Sequence, residues 1–202
     1  MGEIRTKLWL ATKNQGKVKE FQHFFAELGW DVEAVPQGAP DVVEDRDTFA
    51  GNAIKKAEEI AKHYNMPALA DDSGLEVDAL GGRPGVYSAR FAGEDASDEQ
   101  NNQKLLAELA NVGEESRGAR FISSIALARP GRETLVSFGT VEGSILFAER
   151  GTEGFGYDPL FLLADRNRTL AEISLAEKNS LSHRANALRS MIEMLKMEAG
   201  DE

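Results

Sequence analysis

Apolar residues change their spacing several times along the chain, and each change predicts an element. Lys7–Ala11 (KLWLA) is short and apolar, the mark of a buried strand. From Gly16 to Leu28 the apolar positions Val18, Phe21, Phe24, Phe25 and Leu28 fall at helical spacing, and Gly29 is placed to close that helix. Asp31–Val35 predicts a second strand ended by Pro36, and residues 36–47 (PQGAPDVVEDRD) predict a loop with two prolines and four acids. Asp47 or Thr48 can cap a helix running to about Tyr64, with Ala53, Ala57, Ile60 and Ala61 on one face. Pro67–Ala70 predicts a third strand stopped by Asp71-Asp72-Ser73-Gly74, and Gly81–Gly85 a turn cluster. Ser97-Asp98-Glu99-Gln100 is a capping box opening a helix to about Ala110. Phe121–Ala128 and Leu135–Val141 flank Pro130-Gly131-Arg132 and predict an antiparallel hairpin. Gly151–Pro159 is a Gly-rich loop before the apolar Leu160–Leu163, and a last helix is expected from about Ser182 to Met197. Strands and helices alternate early and a hairpin interrupts them, so the expected class is α/β with a mixed sheet.

Composition narrows the function. The chain has 202 residues, enough for one generous domain or one domain with two lobes, and its 42% apolar and 28% charged residues describe a folded chain rather than a disordered one. Cys is absent, which excludes disulfides, thiolate metal sites and cysteine nucleophiles. No apolar run approaches the roughly 18 residues needed to cross a bilayer, and the start MGEIRTKLWLATK is too briefly apolar for a signal peptide. A soluble, cytoplasmic protein is expected. A net charge of −11 argues against non-specific nucleic-acid binding, where basic residues must displace counterions. It leaves a phosphorylated small molecule open, since such a ligand needs only a local group of donors or a metal.

Five segments can carry chemistry. Thr12-Lys13-Asn14-Gln15-Gly16-Lys17 joins a strand to a helix, where unpaired N–H groups and the helix dipole suit a phosphate; it would also serve as a plain helix cap with solvated lysines, and it lacks the Walker pattern. Asp71-Asp72-Ser73-Gly74 sits at a strand end, and strand alternation turns only one of the two acids to a given side. A carboxylate there can hold Mg²⁺ or take a proton from water, although the composition also fits a turn. Asp41, Glu44, Asp45 and Asp47 form an acidic loop that would complete a Mg²⁺ site if it folded near Asp72, or else a solvated loop. In Gly154-Phe155-Gly156-Tyr157-Asp158-Pro159, glycines let the backbone approach a flat ligand while Phe155 stacks and Asp158 accepts a ring N–H; a packed turn is the plainer alternative. Lys178, Ser182, His183 and Arg184 gather the donors that a carbonyl-bearing base edge needs, though a His-Arg pair on a helix also suits a surface.

The order of these segments is more specific than any one of them. Thr12–Lys17 (TKNQGK), Thr48–Ala53 (TFAGNA), Ala70–Gly74 (ADDSG), Gly82–Phe91 (GRPGVYSARF), Phe155–Pro159 (FGYDP) and Ser182-His183-Arg184 together resemble the Ham1 family of pyrophosphatases acting on non-standard purine nucleoside triphosphates, in its bacterial form. The resemblance spans nearly the whole chain. It implies Mg²⁺-dependent hydrolysis of ITP, dITP and XTP to the monophosphate and pyrophosphate. It also implies a single domain over residues 1–202, an elongated two-lobed mixed-sheet fold with the active cleft between the lobes, and a homodimer. Carried over residue by residue, it makes Asp72 the catalytic base and Ser73 an adjoining substrate contact. Glu44 becomes a metal ligand with Asp72, and Asp45 is the substitute if the loop shifts by one residue. Thr12, Lys13, Asn14, Gln15, Gly16, Lys17 and Lys56 face the phosphates, and Phe155, Gly156, Tyr157, Asp158, Lys178, His183 and Arg184 face the base. Many family members have Gly where Lys13 stands, so its charge can touch phosphate or stay solvated.

The chemistry expected is attack of water on the α-phosphorus with Asp72 as base, next to the metal because a free Asp is a weak base. Selectivity is expected at the base edge, where Arg184 or Lys178 would reward the O6 acceptor of hypoxanthine and xanthine and meet the amino group of adenine donor to donor. A Maf-like pyrophosphatase of other specificity and a non-catalytic nucleotide sensor are the competing readings.

Overall fold

The computed structural model describes residues 7–12, 14–26 and 30–200. The order of elements is β1 (Lys7–Leu10), α1 (Gln15–Ala26), β2 (Asp31–Ala34), α2 (Phe49–Tyr64), β3 (Ala68–Val77), α3 (Asp98–Glu108), β4 (Gly118–Ala128), β5 (Leu135–Ile145), β6 (Phe161–Leu163), α4 (Leu175–Leu181) and α5 (His183–Gly200). The strands form one sheet in the order β2-β1-β3-β4-β5-β6. β1 pairs in parallel with β2 on one side and β3 on the other, while β6 pairs antiparallel with β5, so the sheet is mixed as the alternation of elements predicts. No helix among the described residues is long and apolar enough to cross a membrane.

The chain divides into two compact units. The first draws on residues 1–72, 124–138 and 185–202, the second on 73–123 and 139–184. In the first unit strand alternation sorts the core by size. Leu8, Leu10, Leu69, Ile125 and Leu127 pack with Val18 and Phe21 of α1 and with Leu188 and Met191 of α5. Their neighbours Ala11, Ala68, Ala70, Ala126 and Ala128 pack with Ala53, Ala57, Ile60 and Ala61 of α2. The alanine face is what lets the backbone of α2 lie close to the strands. Thr48 caps α2 by accepting from the N–H of Gly51 (3.0 Å), and Asn65 ends it in the left-handed conformation, φ 49°. Phe24 and Phe25 lie on α1 beyond the side chains described, and Leu28, Gly29 and Lys13 lie outside the described residues.

The second unit has one core, with Leu75 and Val77 of β3, Leu105 and Leu109, Phe121, Tyr157, Phe161 and Leu170 among its members. Arg117 is fully buried there, and its guanidinium donates to the carbonyls of Ile145 (2.7 Å), Leu109 (2.8 Å), Leu146 (3.0 Å) and Val112 (3.3 Å).

One expectation is corrected. Asp71-Asp72-Ser73-Gly74 does not stop the third strand, because β3 runs through it to Val77 as a ten-residue strand. The turn-forming composition is overridden because both carboxylates find lysine partners on the strand's flanks. The last helix begins within one residue of its expected start, since α5 runs from His183 to Gly200; Ser182 before it is extended (φ −69°, ψ 161°) and ends α4, a short helix that the spacing did not predict.

Candidate active site

In the first unit the chain leaves β1 and enters α1 through a self-capped loop. Thr12 Oγ1 accepts from the N–H of Asn14 (3.2 Å), and Asn14 Oδ1 accepts from those of Gly16 (2.9 Å) and Lys17 (3.1 Å). Asn14 is thus the cap of α1. Gln15 is exposed, and Lys17 extends its ammonium to 3.1 Å from Asp71 Oδ2. Asp71 and Asp72 follow each other on β3, and the pleat sends them apart. Asp71 meets α1; Asp72 meets α2.

On α2, Asn52 and Lys56 stand four residues apart on the buried face. Asn52 Nδ2 donates to Asp72 Oδ2 (3.0 Å). Lys56 Nζ donates to the carbonyl of Asp71 (2.7 Å) and to Glu44 Oε1 (2.6 Å), and lies 4.0 Å from Asp72 Oδ1. Glu44 therefore belongs to the Asp72 cluster. Asp45 is exposed and pairs with Lys55 (2.9 Å) and Arg46 (3.7 Å). Burial pushes the Asp72 carboxyl above its ordinary value, opposed by Lys56 and Lys17 and reinforced by Glu44. For Lys56 burial acts downward, but the charges of Asp72, Glu44 and Asp71 outweigh it and its ammonium is held above the ordinary value.

In the second unit Ser73 Oγ accepts from Arg184 Nη2 (2.9 Å). The loop around Phe155 folds on Asp158, whose Oδ2 accepts from the N–H of Phe155 (2.9 Å) and from Lys178 Nζ (2.7 Å). Gly154 (φ +80°) is required here, since a Cβ on it would run into the Asp158 carboxylate. The ring of Phe155 has Lys178 Nζ 4.7 Å and Arg184 Cζ 5.1 Å from its centroid. Tyr157 is buried and donates its hydroxyl to the carbonyl of Ser88 (2.8 Å); burial, then the charge of Asp98, pushes its phenol up. His183 is buried and stacks on Phe121 with centroids 4.9 Å apart and planes 12° apart. His183 and Arg184 are thus interior residues, 1% and 5% exposed, which removes the surface alternative.

The residues expected to act together are therefore joined within each unit: Lys17, Glu44, Lys56 and Asp72 in the first, Ser73, Phe155, Asp158, Lys178 and Arg184 in the second. Two side chains of the first cluster were not assigned roles from the sequence. Asp71 pairs with Lys17, and Asn52 holds Asp72. Asn52 had a readable signal, a polar residue one helical turn before Lys56 on an alanine-rich face.

Among the described residues no three His, Asp or Glu side chains gather as a metal centre. A magnesium ion needs less: hard oxygen donors, one or two carboxylates, and phosphate or water for the rest. Glu44 and Asp72, both around the ammonium of Lys56, supply that donor set, and the residues fit such an ion.

The fold and the two clusters define an α/β protein with a buried carboxylate–lysine cluster in one unit and an aromatic ring flanked by two cations in the other. The Ham1 family profile matches residues 8–194, and the chain belongs to the Ham1 family. It is 51% identical over 187 residues to the dITP/XTP pyrophosphatase of Exiguobacterium sibiricum, covering 92% of this chain and 94% of that one. It is 48% identical over 188 residues to the dITP/XTP pyrophosphatase of Bacillus subtilis, covering 92% and 95%. Among solved structures, the Staphylococcus aureus Ham1 protein superposes with a TM-score of 0.84 at 42% identity, covering 96% of this chain and all of that one (100%). A dITP/XTP pyrophosphatase from Mycobacterium abscessus gives 0.74 at 40% identity, covering 94% and 100%.

Proposed function

We propose that the protein hydrolyses ITP, dITP and XTP to the nucleoside monophosphate and pyrophosphate, clearing deaminated purines from the nucleotide pool. The observation that carries this reading is the buried carboxylate of Asp72, held by Asn52 and flanked by Lys56 and Glu44. A pure binder has no need of a water-activating carboxylate, and a buried acid raised in pKa beside specific charge partners fits a catalytic role.

In the reaction the oxygen of a water attacks the α-phosphorus, the bond to the oxygen bridging the α- and β-phosphorus breaks, and pyrophosphate leaves with that electron pair. Asp72 takes the proton of the attacking water. Lys17 and Lys56 stabilise the charge that builds on the phosphate oxygens, and the α1 loop from Thr12 to Lys17 orients the chain of phosphates. Glu44 and Asp72 would hold Mg²⁺, which when bound neutralises phosphate charge and acidifies water. In the second unit Phe155 stacks on the purine while Lys178 and Arg184 address its O6 edge. Asp158 fixes Lys178, Ser73 fixes Arg184, and His183 supports Arg184 from the core.

We also read the enzyme as a cytoplasmic homodimer engaging neither nucleic acid nor membrane, on its family resemblance and its net charge of −11. The deciding experiment is pyrophosphate release from ITP, dITP, XTP, GTP, ATP and pyrimidine triphosphates, with Mg²⁺ and with EDTA. Preference for the first three, lost with EDTA, is expected. Equal rates on ITP and ATP would overturn the base reading, a pyrimidine preference would favour the Maf-like alternative, and binding without turnover would leave a sensor.

A further inference from the structure

The loop carrying Phe155 is gripped by a helix to which the reaction assigns nothing. α3 opens on the predicted box: Gln100 N–H donates to Ser97 Oγ (3.2 Å) and Ser97 N–H to Gln100 Oε1 (2.8 Å). The box fixes the phase of the first turns and sets Asp98 and Asn102, four residues apart, on one face. Both reach Gly156. Its N–H donates to Asp98 Oδ2 at 2.7 Å, and its carbonyl accepts from Asn102 Nδ2 at 3.2 Å. Asn102 also donates to Glu149 Oε1 (2.9 Å) and is 3% exposed. The neighbouring Asn101 turns elsewhere, to the carbonyl of Ala89 (3.0 Å) and the N–H of Ala92 (2.8 Å).

Gly156 stands at φ +62°, so it is the most adaptable link between Phe155 and Tyr157. Tyr157 is anchored by its hydroxyl on Ser88, and Phe155 by its own N–H on Asp158. The carbonyl of Phe155 accepts from the N–H of Asp158 (3.3 Å), and the N–H and carbonyl of Gly156 are held from α3, the N–H through a charge-assisted bond. We propose that Asp98 and Asn102 are positioning residues for base selectivity, locking Gly156 so that the ring of Phe155 keeps its place beside Lys178 and Arg184. The proposal rests on the assignment of the Phe155 loop to the base. A loosened loop must be ordered by the ligand, which weakens base recognition and blunts discrimination without touching the phosphate chemistry.

The test compares D98A, D98N and N102D with the wild-type protein. IMP affinity is measured by calorimetry, inhibition by pyrophosphate by kinetics, and kcat/KM on ITP and ATP side by side. Asp98 is exposed, so D98A is expected to fold, and melting curves check all three. D98A and N102D should weaken IMP binding by about 10-fold and lower the ITP-to-ATP ratio by a similar factor, with pyrophosphate inhibition unchanged. In N102D a carboxylate would face Glu149 and a carbonyl. D98N keeps an acceptor for Gly156 and should stay within about 3-fold of wild type. A folded D98A with wild-type IMP affinity and ratio overturns the proposal, as does an equal loss on IMP and pyrophosphate. A wild-type protein that binds IMP no better than AMP sinks the parent assignment and this one together.

Discussion

Asn52 joins the acidic loop to the carboxylate of Asp72. Its Nδ2 donates to Asp72 Oδ2 (3.0 Å) and to the carbonyl of Arg46 (3.3 Å), while its Oδ1 accepts from the Arg46 N–H (2.9 Å). One buried amide thereby sets the orientation of Asp72 and the path of the segment that carries Glu44. N52A should lower kcat for ITP about 10-fold or more with little change in KM, because the lost contact orients the base rather than the substrate. N52D should do worse and also melt earlier, since it places a carboxylate against Asp72; steady-state kinetics and melting curves check both.

D72N should cost about 10²- to 10⁴-fold in turnover, the usual range for a general base. Its effect on stability should have the opposite sign. Burial raises the folded pKa of Asp72, so its ionisation starts to count against folding as the pH rises past the ordinary value of 3.8 and does so in full above the folded one. Removing the charge should therefore raise Tm at neutral pH in EDTA, and the gain should vanish below the ordinary value of 3.8, where both proteins are neutral at this site. A lower Tm for D72N in EDTA would contradict this account of the Asp72 environment.

Arg184 is 5% exposed and is fixed by Ser73. Arg184→Met keeps the length and loses the donors, and should reduce the preference for ITP over ATP by about 10- to 100-fold, chiefly through ITP. Ser73→Ala leaves the guanidinium in place but unsteadied and should give a smaller change in the same direction. The kcat/KM ratio on the two nucleotides is the measurement.

Arg129 grips Glu198 of α5 with two parallel bonds, 2.7 and 3.0 Å. The bond from Arg129 holds the Glu198 carboxyl below its ordinary value of 4.5, helped by the charges of Arg129 and Arg132. A depressed acid stabilises the fold above its unfolded value and loses that contribution as the pH falls through the folded one. E198Q should thus lower Tm by about 1–3 °C at pH 7, and the two melting curves should converge as the pH drops below 4.5.

Where a residue's partner lies nearby in sequence, or its spacing is regular, the sequence was readable. Thr48 as a cap, the Ser97–Gln100 box and the Ala53–Ala61 face all follow from local rules, and the structure has each of them. The end of β3 was misread because Asp71 and Asp72 look like a turn until Lys17 and Lys56 arrive from 54 and 16 residues away. The start of α5 beside Ser182 was legible, but the short helix α4 before it was not, since its seven residues are too few to establish an apolar period. Among the candidate side chains, Arg184 stood out in the sequence as one of a group of donors with Lys178, whereas Lys56 was reached only through resemblance. The inward turn of Asp158 and the grip of α3 on Gly156 depend on contacts between segments 20 and 58 residues apart, which no periodicity encodes.

The pleat of β3 gives two chemically identical neighbours separate addresses, one answered by α1 and the other by α2. Inserting or deleting a single residue between Asn65 and Asp71 would exchange those addresses at a stroke, handing the lysine of one helix to the acid meant for the other. The span of that short stretch is thus as much a determinant of the chemistry as the carboxylates themselves, and no point substitution could restore what a shift of frame had undone.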